Sequence, residues 1–379
     1  MVSPYRDLVF GGVSQVVPPL VKEASSIDLQ IDWITTTGGK EVDWHSVSAF
    51  SHQKFFSRVS RHDFIWSTSL VYWFKLNVWQ YDLVHFHTIF SPMMSRLAMI
   101  AYQRSIPYWV TPHGMLDLWA FQHRGMKKKL YWSLFERSVF KRAARIQVLH
   151  EGESAAVRRR GIQRPIVIIP NGVYRQEKIS SEKEALFWDR YPRLREGKRI
   201  LFLGRIHPKK GIDALIRALA EILKLRPQTT LIIAGPNEQK TQEVLQKLAV
   251  EIGVSDRIEW VGLLSGEEKQ AALQGADCFV LPSHSEGLSQ AILEAMAAGI
   301  PCAFTSECAF DEVVAREGAW RIERDPVNMA QTLLSILEDS EESQRRAKIG
   351  QKYVFEKHLW SEIGVKLREA YQQKEGEIS

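Results

Sequence analysis

Short apolar runs alternate with longer amphipathic stretches along the chain. In the first half the runs are 31–36 (IDWITT), 83–87 (LVHFH), 107–111 (PYWVT), 145–149 (RIQVL) and 166–169 (IVII). In the second half they are 200–204 (ILFLG), 230–235 (TLIIAG), 258–261 (IEWV), 277–281 (DCFVL) and 300–304 (IPCAF). Runs this short, rich in β-branched residues and separated by helix-period segments, predict parallel βαβ units with helices on both faces of each sheet. One predicted helix, 211–226, places Ile212, Leu215, Ile216, Leu219, Ile222 and Leu223 on a single stripe. Another, 288–298, ends at Gly299 with Pro301 just beyond.

The stretch 173–197 is charged and has no strand periodicity, so a domain boundary is placed there. The expectation is an α/β chain of two doubly wound domains, 1–172 and 173–358. Ligands of such sheets bind at the carboxyl ends of the strands. Two such domains facing one another would form a cleft.

Composition narrows the class. With 379 residues, 45% hydrophobic and 25% charged, the chain is an ordinary globular protein of about two domains. No run of about 18 apolar residues lacks charge, so no membrane-spanning helix is expected. Met1–Asp7 has no apolar core of the kind a signal peptide needs. Cys278, Cys302 and Cys308 show no C-x-x-C spacing, which points to a reduced, cytoplasmic protein. The net charge of +6 is unevenly spread. Residues 1–172 carry 21 Lys and Arg against 12 Asp and Glu, and residues 173–379 carry 29 against 32. A basic half suits an anionic membrane, an anionic ligand or nucleic acid.

Two segments carry candidate chemistry. In 281–301 (LPSHSEGLSQAILEAMAAGIP) a strand ends, a turn runs to Gly287 and a helix follows. The backbone N–H groups of Gly287 and Leu288 at a helix start would favour an anion. Glu286 precedes that helix and Glu294 lies about two turns into it, an arrangement suited to hydroxyls on either side of a phosphate. In 204–211 (GRIHPKKG), Arg205 and Lys210 sit at a strand's carboxyl end, where both would neutralise a diphosphate.

With these two segments, Gly11-Gly12-Val13-Ser14, His113-Gly114, Pro170-Asn171-Gly172-Val173 and Gly262, the chain resembles the retaining glycosyltransferases of family 4. These have the GT-B fold, two Rossmann-like domains facing across a cleft. The stretch 111–120 (TPHGMLDLWA) looks like members that build cell-surface polysaccharides such as exopolysaccharide. The resemblance implies an acceptor-side domain 1–172, joined by the C-terminal helix 359–379, and a donor-binding domain 173–358. It implies that Arg205 and Lys210 hold the donor's diphosphate, Glu294 the ribose and Glu286 the transferred sugar. Gly287 and Leu288 would offer backbone N–H groups, Gly12 would approach the diphosphate, and His113 would sit near the reacting sugar. The base would lie against 258–263, including Gly262. The expected reaction is transfer of a hexose from a nucleotide sugar to a lipid-linked or polysaccharide acceptor with retention. A UDP-sugar is the first expectation for the donor and GDP-mannose the second.

No Asp-x-Asp sequence is present, so no metal is expected. The nucleotide sugar is expected as a donor substrate, with no cofactor. Two alternatives stay open: a nucleotide-sugar 2-epimerase on the same fold, and a non-catalytic donor-binding partner of another transferase. The family's apolar first strand is an exception to the match. Only ten residues precede Gly11, with Pro4, Arg6 and Asp7 among them, so that strand is absent, very short, or begins upstream.

Bland readings compete with several of these. His85 reads as buried structure and His87 as a residue open to the cleft. Asp117 reads as an acceptor contact or an exposed helix-start carboxylate, and Glu307 and Glu312 as solvated. The segment 123–145 is basic with Leu130, Tyr131, Leu134, Phe135, Val139 and Phe140 interleaved. Its apolar stripe is expected to pack on the sheet. Its lysines suit either water or an anionic membrane at the inner face of the plasma membrane. No nucleic-acid motif appears, and no nucleic-acid partner is expected.

Overall fold

The computed structural model describes residues 1–5, 12–38, 52–61, 64–117, 125–191, 194, 197–238 and 240–373. Gly11 and residues 118–124, part of the segments singled out above, lie outside them. Two compact units result. One comprises the described residues of Met1–Gly172 and Trp360–Ser379, the other those of Val173–Leu359.

In the first unit the strands are Trp33–Thr37 (β1), Gln53–Ser57 (β2), Val84–His87 (β5), Tyr108–Thr111 (β6), Arg145–Val148 (β7) and Ile166–Ile168 (β8). A small antiparallel hairpin, Val59–Arg61 (β3) with Phe64–Trp66 (β4), stands apart from them. β1 pairs with β2, and β5 through β8 follow in order, all parallel. Between β1 and β5 runs the segment Met1–Ser3, in which Val2 bridges Ile34 on one side and Phe86 on the other. Val2 N–H donates to His85 O at 2.8 Å, and His87 N–H donates to Val2 O at 2.9 Å. The short N-terminal segment thus closes the gap between β1 and β5, and neither is left as an exposed edge there.

Side chains alternate across these strands. Ile34, Val84, Phe86, Tyr108 and Val110 enter one buried cluster with the helices Thr68–Asn77 and Pro92–Gln103. Trp33 and Trp109 enter a second with the helices Gly12–Ala24 and Trp360–Gln372. Gly364 lets those two helices meet closely, since a Cβ there would lie 2.5 Å from the backbone of Glu23.

The second unit has six parallel strands: Arg199–Leu203 (β9), Thr230–Ala234 (β10), Ile258–Gly262 (β11), Cys278–Leu281 (β12), Cys302–Phe304 (β13) and Trp320–Arg321 (β14). Their order is β11-β10-β9-β12-β13-β14. The winding therefore reverses between β9 and β12, the position where doubly wound sheets bind ligands. The helix Ile212–Leu225 buries Ile212, Leu215, Ile216, Leu219 and Ile222, the stripe read from the sequence. A helix, Ser181–Asp189, also forms inside the expected boundary segment; it buries Phe187 and Trp188.

The helical segment after Gly125 departs from expectation. Val139 and Phe140 are buried, but Leu130, Leu134 and Phe135 are exposed. The interleaved apolar residues do not recur at one helical period, and the segment carries a π-helical turn, Trp132–Glu136. Glu136, the last residue of that turn, is only 2% exposed.

Candidate active site

In the second unit the loops after β9 and β12 meet. Gly211 has φ 66°, and a Cβ there would lie 2.2 Å from Pro282 O, so only glycine fits this approach. His284 N–H donates to Lys209 O at 2.8 Å. Lys210 Nζ then lies 2.6 Å from Glu286 Oε1, and Ser283 Oγ donates to the same oxygen at 2.6 Å. Burial alone would raise the Glu286 pKa. The charges of Lys210 and Lys209, with the hydrogen bonds from Lys210 and Ser283, outweigh it and hold the carboxyl below the usual range.

Glu294 is on the helix Gln290–Ala298, and its Oε1 accepts from Lys269 Nζ at 2.7 Å. Arg205 Nη1 donates to both carboxylate oxygens of Glu238, at 3.0 and 3.2 Å. Lys269 and Glu238 were not picked out in the sequence, because they reach the site from separate segments. Gly262 closes β11 with φ 73°, and its carbonyl accepts from Gly235 N–H at 2.7 Å.

The start of the helix after β12 differs from expectation. Gly287 and Leu288 do not begin the helix, which starts at Gln290 with Ser289 at its N-cap. Glu286 N–H is instead bonded to Glu307 O at 3.1 Å, which keeps the turn extended beyond β12. Glu307 is not simply solvated either: its carboxylate pairs with Arg324 at 2.8 Å. Glu312 pairs with Arg316 at 2.7 Å and Lys357 at 3.2 Å.

The first unit gathers polar groups at the carboxyl end of its sheet. His85 and His87 alternate on β5 and so share a face, their rings stacked at 4.3 Å. His85 Nδ1 lies 2.5 Å from Tyr371 OH, and Nε2 lies 2.7 Å from Thr111 Oγ1. His87 is fully buried, and its Nδ1 lies 3.1 Å from His113 Nε2. Burial pushes His113 down to about 4 and holds both other histidines well below the usual range.

His113 itself has φ 52° and is followed by Gly114 at φ 74°. This left-handed pair is fixed by the buried Glu153, which accepts from Gly114 N–H and, at 2.7 Å, from Leu149 N–H. Burial raises Glu153 to about 7, against the pull of those two N–H groups. Residues 113–116 form a turn and Asp117 a bend, and the residues that follow Asp117 lie outside the described ones. Gly12 is the exposed first residue of the helix Gly12–Ala24, with open space where a Cβ would stand.

Among the described residues no three His, Cys, Asp or Glu side chains are grouped to hold a metal ion. Among them no helix is long and apolar enough to cross a membrane.

Comparison with known proteins agrees with this geometry. The model for Glycosyltransferase Family 4 matches residues 10–177, and that for Glycosyl transferases group 1 matches residues 189–353. The phosphatidyl-myo-inositol mannosyltransferase of Mycolicibacterium smegmatis is 29% identical over 268 residues, 69% of this chain and 63% of that protein. The D-inositol 3-phosphate glycosyltransferase of Corynebacterium efficiens is 35% identical over 160 residues, 41% of this chain and 37% of the relative. The matches thus span less than two thirds of these relatives' length. Among solved structures, sucrose-phosphate synthase from Thermosynechococcus elongatus superposes with a TM-score of 0.79 at 19% identity, covering 98% of both chains. HepE from Anabaena, solved with UDP and glucose, gives 0.77 at 16%, again over 98% of both. These likenesses are of fold. Taken with the two family models, which between them span both units, they establish that the chain belongs to the glycosyltransferases of family 4 and has their GT-B fold of two Rossmann-like domains.

Proposed function

We propose that this chain transfers a hexosyl group from a nucleoside diphosphate sugar, a UDP-sugar before GDP-mannose, to a lipid-linked or polysaccharide acceptor with retention at the anomeric carbon. The observation that carries the reading is the buried Lys210–Glu286 pair where β9 and β12 diverge. A cation there opposes the charge of a departing diphosphate, and Glu286 is an acceptor for sugar hydroxyls. Arg205 adds a second cation, Glu294 accepts from the ribose, and the backbone N–H groups of Gly287 and Leu288 complete the cradle. Gly262 borders the base, Gly12 approaches the diphosphate, and His113 contacts the sugar. On this reading the cationic side chains stabilise the leaving group and no metal is required.

The acceptor's membrane is the second part of the proposal. Met126, Leu130, Leu134 and Phe135 are exposed beside Lys127, Lys128 and Lys129. Tyr72, Leu76 and Trp79 are exposed as well. Apolar side chains flanked by lysines fit the surface of an anionic bilayer, which supports work at the inner face of the plasma membrane.

A thermal-shift screen against nucleoside diphosphates and their sugars tests the donor, since a ligand of the folded state raises the melting temperature. Nucleotide release with a glycosylated product is then expected from the donor that binds. Unchanged turnover in both Glu294→Ala and Lys210→Ala would overturn the assignment.

A further inference from the structure

His113 can contribute a ring proton, a ring lone pair or a positive charge, and these lead to different chemistry. The polar cluster on β5 decides between them. His87 is fully enclosed, stacked on His85 and in contact with His113. Burial, and then the neighbouring His85 and His113, keep it neutral. A neutral imidazole has one N–H and one lone pair.

The Nε2 of His87 is buried and has no hydrogen-bond partner among the described residues. If the proton were on Nε2, a buried N–H would be left without an acceptor. If it is on Nδ1, only a lone pair is left over, while the N–H is used on His113 Nε2 at 3.1 Å. Orphaned buried donors are the scarcer and costlier case.

We infer that His87 is a positioning residue that donates from Nδ1 to His113 Nε2 and so fixes His113 as its Nδ1–H tautomer. The functional part rests on the transferase reading given above. In this tautomer a neutral His113 presents an N–H to a ligand oxygen, such as a sugar hydroxyl. Its Nδ1 has no lone pair with which to take the acceptor's proton, and its Nε2 is already occupied. His113 therefore orients the sugar and does not serve as the general base.

The neighbours of His87 enforce this. His85 uses both ring nitrogens, on Tyr371 and Thr111, so it offers His87 nothing but its ring face. Glu153 holds the backbone of the His113 turn through Gly114 N–H, so the ring is presented to His87 from a fixed position.

The test is long-range 1H–15N spectroscopy of the full chain with 15N-labelled histidine, in the absence of any donor. The His113 signals are assigned by their loss in His113→Gln. The expected result is protonation at His113 Nδ1, and protonation at Nε2 would overturn the inference. His87→Leu should release the fixed tautomer and lower turnover, whereas a tautomer unchanged in that variant would also overturn it. In His87→Asn the amide N–H stands where Nδ1–H does, so the tautomer and most of the lost turnover should return; an Asn variant that matches Leu counts against the inference. The spectra need no activity. A failed transferase assignment would leave the tautomer result standing, and a failed tautomer result would leave the transferase assignment standing.

Discussion

Lys210 Nζ and Glu286 Oε1 stand 2.6 Å apart, with side chains only 12% and 11% exposed, although 76 residues separate them in the chain. The contact exists because Gly211 turns the first loop against Pro282 of the second. Removing one partner of such a pair leaves a buried charge without its counter-charge, which costs about 3–5 kcal/mol. Lys210→Met and Glu286→Gln should each lose stability on that scale. The double variant should lose less than the sum, as chemical denaturation would show. Additive losses would mean that the pair is not coupled.

Glu153 accepts N–H groups from Gly114 and Leu149 with its two oxygens. In Glu153→Gln an amide NH2 must face one of those donors. A buried donor left unmatched costs about 1–3 kcal/mol. The expected outcome is a destabilised His113 turn, read as a lower melting temperature together with a fall in turnover. A variant indistinguishable from the parent in both would remove Glu153 from its supporting role.

Glu136 gives a dependence on pH. It accepts from Phe90 N–H and Ser95 Oγ, each at 2.9 Å, but burial dominates and raises it to about 7 from an ordinary 4.5. Between those values the folded chain holds a proton that the unfolded chain releases. The contribution is therefore fully present below pH 4.5 and is lost as pH rises through about 7. It amounts to about 3 kcal/mol at most, at roughly 1.4 kcal/mol per pH unit. Glu136→Gln lacks this titration. Its stability relative to the parent should improve between pH 5 and pH 8, and parallel pH profiles would contradict the shift. His113, lowered to about 4, acts in the opposite sense but is common to both proteins and cancels in the comparison.

Lys127, Lys128 and Lys129 lie beside the exposed Met126 and Leu130. Each lysine near an anionic bilayer is worth about 1 kcal/mol. Replacing all three by Gln should weaken binding to anionic vesicles about a hundredfold, judged by sedimentation. The parent's binding should also fall with salt. Equal binding to neutral vesicles would show that the lysines are not the contact.

Most strands were legible in the sequence. Runs such as ILFLG and TLIIAG have one outcome, a strand buried on both faces, and they became β9 and β10. The helix Ile212–Leu225 was legible for the same reason: six apolar residues recur at its period. The boundary of the helix Gln290–Ala298 was not. The turn before it is held by Glu307 O, a partner 21 residues away from Glu286 that no local pattern reveals. The outward side of Leu130 and Leu134 was hidden too, because the interleaved apolar residues of 130–140 do not recur at one helical period and so mark no single buried face.

By itself the sequence determined the elements and the chemical groups available. Apolar periodicity sets local structure through burial, and the glycine, lysine and glutamate positions of 204–211 and 281–294 are local motifs. Tertiary structure decided how those groups pair and which are charged. Strand order brought Lys210 to Glu286, and packing of the helix Gly266–Gln274 on Gln290–Ala298 brought Lys269 to Glu294. Adjacent strands set His87 under His113, and closure of the core withdrew Glu136 and Glu153 from water. Pairing and proton affinity depend on distance and solvent exclusion, and neither is encoded at any single position of the chain.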